Sequence, residues 1–121
     1  MDTPTPLRAR GKGQRMKAGQ RRSAKRRFLE NYALQGLKAA PRVATALQAA
    51  GMSRSALYQW LKADQVLKAK YEALQAVYFL PWYYCPAALH DPEFDQERKH
   101  HQKQRTVGKR LIRYYYKQAH R

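Results

Sequence analysis

Cysteine is almost absent: Cys85 stands alone in 121 residues. That excludes an internal disulfide framework and a cysteine-based zinc knuckle. Acids are scarce as well, eight against twenty-five Lys and Arg, leaving a net charge of +17. Such an excess excludes an acidic nucleic-acid mimic and points to a polyanionic partner. Long apolar runs are missing too, since the longest candidate, Val77 to Leu89, is broken by Pro81 and Pro86. The Arg-rich start lacks the hydrophobic segment of a secretory signal, and its Pro and Gly leave no amphipathic transit helix. An intracellular protein is expected, in cytoplasm or nucleoid, or in host cytoplasm if viral, with no membrane partner. Its length suits one domain, and hydrophobic residues at 44% suffice for a core.

Catalytic constellations lack their parts. Gly11-Lys12-Gly13 has neither the strand nor the helix that a phosphate loop requires. Asp91, Glu93, Asp95 and Glu97 gather around a helix start, where capping accounts for them. His90, His100 and His101 with Cys85 do not form a metal-ligand spacing. A tyrosine recombinase needs an Arg/His constellation on a much longer domain. A non-enzyme with no cofactor and no metal is the expectation.

What is present is charge, and it sits at the ends. Residues 1–28 hold ten Lys/Arg and one acid, residues 29–94 six and five, and residues 95–121 nine and two. A nearly neutral middle is therefore flanked by two basic segments. The first, residues 1–22, has three glycines, two prolines and few large apolar groups, so burial cannot offset its ordering entropy. It reads as a flexible basic arm.

Residues 23–80 change to helical periodicity. Phe28, Leu29, Tyr32 and Ala33 mark a helix from Ser23 that Gly36 stops. A second helix is expected from about Pro41, a residue tolerated in a first turn, through Val43, Ala46, Leu47 and Ala50 to Gly51. Ser53 then caps a third, Arg54 to about Ala63, with Leu57, Trp60 and Leu61 facing inward. Asp64 caps a fourth, striped by Leu67, Tyr71, Leu74 and Tyr78. The fold class expected is all-α: a small helix-turn-helix bundle with a basic arm and a basic C-terminal helix.

The spacing at Gly51 carries the functional reading. A helix-turn-helix needs a tight bend and then a capped helix pinned by apolar residues, and Leu57 and Trp60 stand where those pins belong. Leu47 stands four before the glycine, where a small residue usually lets the helices cross, so the crossing is expected to be shifted. Ser53, Arg54, Ser55, Tyr58, Gln59 and Lys62 are left as the DNA-binding set. Arg and Gln suit base edges, Ser and Lys suit phosphate, and Tyr suits either.

Residues 26–74 resemble the N-terminal helix-turn-helix of phage terminase small subunits and related phage or transposon DNA-binding proteins. The resemblance rests on Phe28-Leu29, Ala49-Ala50-Gly51, Ser53-Arg54-Ser55, Tyr58, Trp60 and Asp64. It implies recognition of viral DNA, often by a ring-shaped oligomer that hands DNA to a motor subunit.

Residues 81–90 read as an aromatic and proline connector, inside the segment VYFLPWYYCPAAL at 77–89. That segment is expected to fold back and cap the core. The alternative is a surface for a protein partner or a second copy, because Tyr and Trp commonly anchor such patches. Asp91-Pro92-Glu93 starts the last helix, residues 91–121, which is expected to weaken at Gly108 and to pack through Val107, Leu111 and Tyr115. It carries Arg98, Lys99, Lys103, Arg105, Lys109, Arg110, Arg113, Lys117 and Arg121, interleaved with Tyr114, Tyr115 and Tyr116. Cations beside aromatics suit backbone tracking and base stacking on a single strand or RNA.

The residues expected to contact phosphate are Arg8, Arg10, Lys12, Arg15, Lys17, Arg21 and Arg22 on the arm. Lys25, Arg26 and Arg27 follow on the first helix, and Lys103, Arg105, Lys109, Arg110 and Arg113 on the last. Duplex DNA is the favoured partner. A structural RNA-binding protein with basic extensions is the alternative, and a protein-interaction subunit using residues 77–89 is a third reading.

Overall fold

Ala24, Phe28, Leu29, Tyr32 and Ala33 recur at the spacing of one helix face, and all five are buried. They lie on α1, Ala18–Gln35, in a computed structural model that describes residues 18–121. The remaining helices are α2 (Val43–Ala50), α3 (Arg54–Ala63), α4 (Gln65–Tyr78) and α5 (Asp95–Ala119), with 3-10 turns at Trp82–Tyr84 and Pro92–Phe94. No strand occurs among the described residues, so the architecture is an all-α bundle. None of these helices is long and apolar enough to cross a membrane.

Two boundaries differ from the sequence expectation. Helix α1 already includes residues 18–22, ahead of the expected start at Ser23, which takes those residues out of the arm. Ala, Gln and Arg propagate a helix at little cost, and buried Ala24 anchors the turn above them. Helix α2 starts at Val43, leaving Pro41 ahead of it rather than in its first turn. The cause is Gln35, whose side-chain amide accepts from the Arg42 N–H at 2.9 Å and donates to the Arg42 carbonyl at 3.0 Å. That double contact holds Arg42 extended.

Caps set the next junctions. Gly51 adopts the left-handed conformation, φ 67°, in which a Cβ is disfavoured. The Met52 N–H donates to the Leu47 carbonyl at 3.1 Å across that turn. Ser53 Oγ accepts from the Ala56 N–H, and the Asp64 carboxylate accepts from the N–H groups of Val66 and Leu67. Helices α3 and α4 are thus joined through Asp64 alone.

Helices α4 and α5 form an antiparallel pair that meets at Gly108. A Cβ there would strike the Ala73 carbonyl and the Val77 side chain. The glycine therefore permits close helix contact, and α5 runs through it without the expected weakening. Buried Tyr115 joins Phe28, Tyr32, Leu47, Leu57, Leu67 and Leu74 in one cluster, so α5 completes the core rather than standing apart as a separate segment. One inward assignment needs correction: Val107 is exposed because Gly108 takes the inward position. Trp60 packs against that cluster, as expected, but is half-buried rather than central.

The connector folds against the start of α5, not over the main core. Trp82 meets Phe94 edge-on at 4.5 Å, and the rings of Tyr83 and Tyr84 lie against His101. Arg98 pins its backbone by donating to the carbonyls of Tyr83, Ala88 and Asp91, while its ion pair with Asp95 fixes the guanidinium. No connector residue belongs to the main cluster.

Candidate nucleic-acid interface

Helix α3 is held from one side. Leu57 is buried, while Trp60 and Leu61 are half-buried against the core. Arg54, Ser55, Tyr58, Gln59 and Lys62 are all exposed. At roughly 100° per residue these five fall within an arc of about 140°, on the side of the helix turned away from Leu57 and Trp60. The sixth residue of the expected set, Ser53, is exposed, but its hydroxyl is engaged as the helix cap at 3.1 Å.

One edge of this arc borders α4. Burial pushes the Tyr71 phenol up; the Tyr32 hydrogen bond lowers it, neighbouring Tyr58 raises it and Arg54 lowers it. Arg54 and Tyr58 therefore lie on the Tyr71 side of α3, and Ser55 and Gln59 on the far side. Such a face combines bidentate hydrogen-bonding groups with one cation at each end.

The phosphate set divides. Arg8, Arg10, Lys12, Arg15 and Lys17 lie outside the described residues. Arg22, Arg26 and Arg27 are exposed along α1, and Arg21 is half-buried there. Arg26 and Glu30 approach Tyr115, whose phenol is pushed up to about 12 chiefly by burial. Lys25, expected to contact phosphate, already has an acidic partner within the fold. Its ammonium pairs with Asp64 at 2.7 Å and lies 5.1 Å from the centre of the Trp60 ring.

On α5, Lys103, Lys109, Arg110 and Arg113 are exposed. Arg105 departs from the expectation, being half-buried with an Nε that is shielded and has no hydrogen-bond partner. Lys99 and Lys117, outside the expected set, are exposed on the same face as Lys103 and Arg110. A phase of about 100° per residue, anchored on buried Tyr115, is the signal that finds them. Of the three tyrosines, Tyr115 is buried while Tyr114 and Tyr116 are exposed, the latter stacked on His120 at 4.1 Å.

Beside the connector, an open groove of about 470 Å³ runs between the end of α4 and the start of α5. Phe79, Leu80, Pro81 and His101 contribute to its lining. Phe79, Leu80, Trp82 and Leu89 are exposed, so this region carries apolar surface where α3 carries polar and charged surface.

No protein-family model, curated protein or solved structure matches this chain.

Proposed function

We propose that the protein is a non-enzymatic, intracellular nucleic-acid-binding protein that reads duplex DNA with α3, in the manner of phage or mobile-element helix-turn-helix proteins. The observation that carries this reading is the division of α3 into two faces. Leu57 fixes the helix from behind, and Arg54, Ser55, Tyr58, Gln59 and Lys62 stand free in front. The capped turn at Gly51 and Ser53 sets the entry of that helix, as a groove-reading helix requires. A net charge of +17 supplies the long-range attraction to a polyanion. The resemblance to terminase small subunits supports a viral or mobile-element role.

The test is competition between a mixed-sequence duplex, single-stranded DNA and a structured RNA across a salt series, using the full chain. Duplex should compete best, and rounds of selection should enrich a preferred site. Preferential binding of structured RNA at every salt concentration would instead support the RNA-binding alternative.

A further inference from the structure

Helix α5 is committed to the bundle along one side only. His101, Gly108 and Tyr115 are buried, and Leu111 and Ile112 pack against the core cluster. The opposite side, at roughly 100° per residue, is an arc of about 80° that holds Lys99, Lys103, Thr106, Arg110, Arg113 and Lys117. All six are exposed, and five are cations. With about 1.5 Å of rise per residue, they form a straight ridge about 27 Å long.

We infer that this ridge is a second nucleic-acid contact, one that tracks the phosphate backbone of duplex DNA without reading its sequence. The inference rests on the proposed duplex binding but not on α3 as the reader. Charge complementarity identifies the occupant. From Lys99 onward the helix contains no acid, and the ion pairs Lys25–Asp64 and Arg98–Asp95 involve none of the five cations. Lys99 and Lys103, Arg110 and Arg113, and Arg113 and Lys117 are like charges at three- and four-residue spacing, which repel one another on a helix. A dense external anion relieves that repulsion along its whole length. Duplex DNA supplies about one charge per 1.7 Å of axis, with counterions to release.

The same geometry explains why the ridge ignores sequence. A reading helix enters the major groove and turns base-edge donors and acceptors toward the pairs. Helix α5 keeps its other side against α4 and α1, and its free arc contains only Lys, Arg and Thr106. It rides on phosphates. Arg98 and Arg105, though on the same helix, are turned toward the bundle and do not belong to the ridge.

The experiment compares two full-length triple variants of equal charge loss. One is Lys103→Gln/Arg110→Gln/Lys117→Gln on the ridge. The other is Lys38→Gln/Arg42→Gln/Lys68→Gln, at exposed positions away from α5. Circular dichroism first establishes that both retain the parent helicity. On duplexes of any sequence, the slope of log affinity against log salt should become shallower for the ridge variant by up to about 2.7, at about 0.9 for each phosphate no longer neutralised. The control should shift the slope by less than about 0.9, and neither variant should change the ranking of sequences. A ridge variant that keeps the parent slope overturns the inference, as does a control whose slope falls as far. Loss of sequence ranking in α3 variants at unchanged slope would concern α3 alone. A parent that binds no duplex would overturn both the ridge and the proposed function.

Discussion

Lys25 on α1 donates to the Asp64 carboxylate at 2.7 Å, and the same carboxylate caps α4 through the N–H groups of Val66 and Leu67. One acid thus joins the middle of α1 to the junction of α3 and α4. The Lys25 hydrogen bond, with the cap behind it, holds the Asp64 carboxyl below its ordinary value. Its contribution to stability is therefore present above that value, near 3.8, and is lost as pH falls through the depressed pKa.

Replacing Asp64→Ala removes the cap and the pair together, and should cost about 1–2 kcal/mol in urea denaturation at neutral pH. Lys25→Met keeps the cap and should cost less. Equal losses from the two variants would show that the cap contributes nothing.

Gly108→Ala tests the packing of α4 on α5. Helix propensity alone favours the alanine by about 1 kcal/mol. The added Cβ would meet the Ala73 carbonyl, which is backbone and cannot rotate away. Overpacking of this kind typically costs about 1–3 kcal/mol, so the variant should be less stable than the parent. A rise in the denaturation midpoint would mean that the two helices are free to separate.

His101 supplies a pH prediction. Its ring is buried, and neither nitrogen makes a well-formed hydrogen bond. Burial is the main cause of its lowered pKa; Arg105 and His100 add to it, and the Phe79 backbone opposes it without reversing it. The facing connector lays the rings of Tyr83 and Tyr84 against it. Because the folded state favours the neutral ring, stability is complete above the unfolded value near 6.5 and falls as pH drops below it. Denaturation midpoints at pH 5 and pH 8 should differ in the parent and converge in His101→Leu. An unchanged difference in the variant would place the proton uptake at another group.

For α3, Arg54→Ala and Gln59→Ala should each weaken binding to a preferred duplex by about 1–3 kcal/mol for each bidentate pair removed, with thermal stability unchanged. Identical site preference in both variants and the parent would remove α3 from the groove. Trp60 behaves differently because it is half-buried under Lys25. Trp60→Ala should cost less stability than Phe28→Ala, which empties a fully buried site and typically costs about 3–5 kcal/mol. A larger loss at Trp60 would return it to the centre of the core.

Local signals made much of this architecture legible. Ser53 and Asp64 act on N–H groups two or three residues away, and Gly51 meets a demand of its own backbone. The exposed arc of α3 was readable for the same reason, since Leu57 fixes its phase within a single turn. Helix α5 was harder, because cations surround most of it and two of its inward residues, His101 and Gly108, carry no apolar signal.

Interactions within a few residues, together with composition, account for the helices, the capped turn after α2 and the concentration of positive charge at the two ends. Which of those charges are engaged depends on packing between distant segments. Lys25 is held by an acid 39 positions away, Arg98 by connector carbonyls, and Arg105 by its burial, while Lys99 and Lys117 stand clear. A side chain's availability depends on what packs beside it, and for these cations the deciding neighbours lie mostly on other segments of the chain.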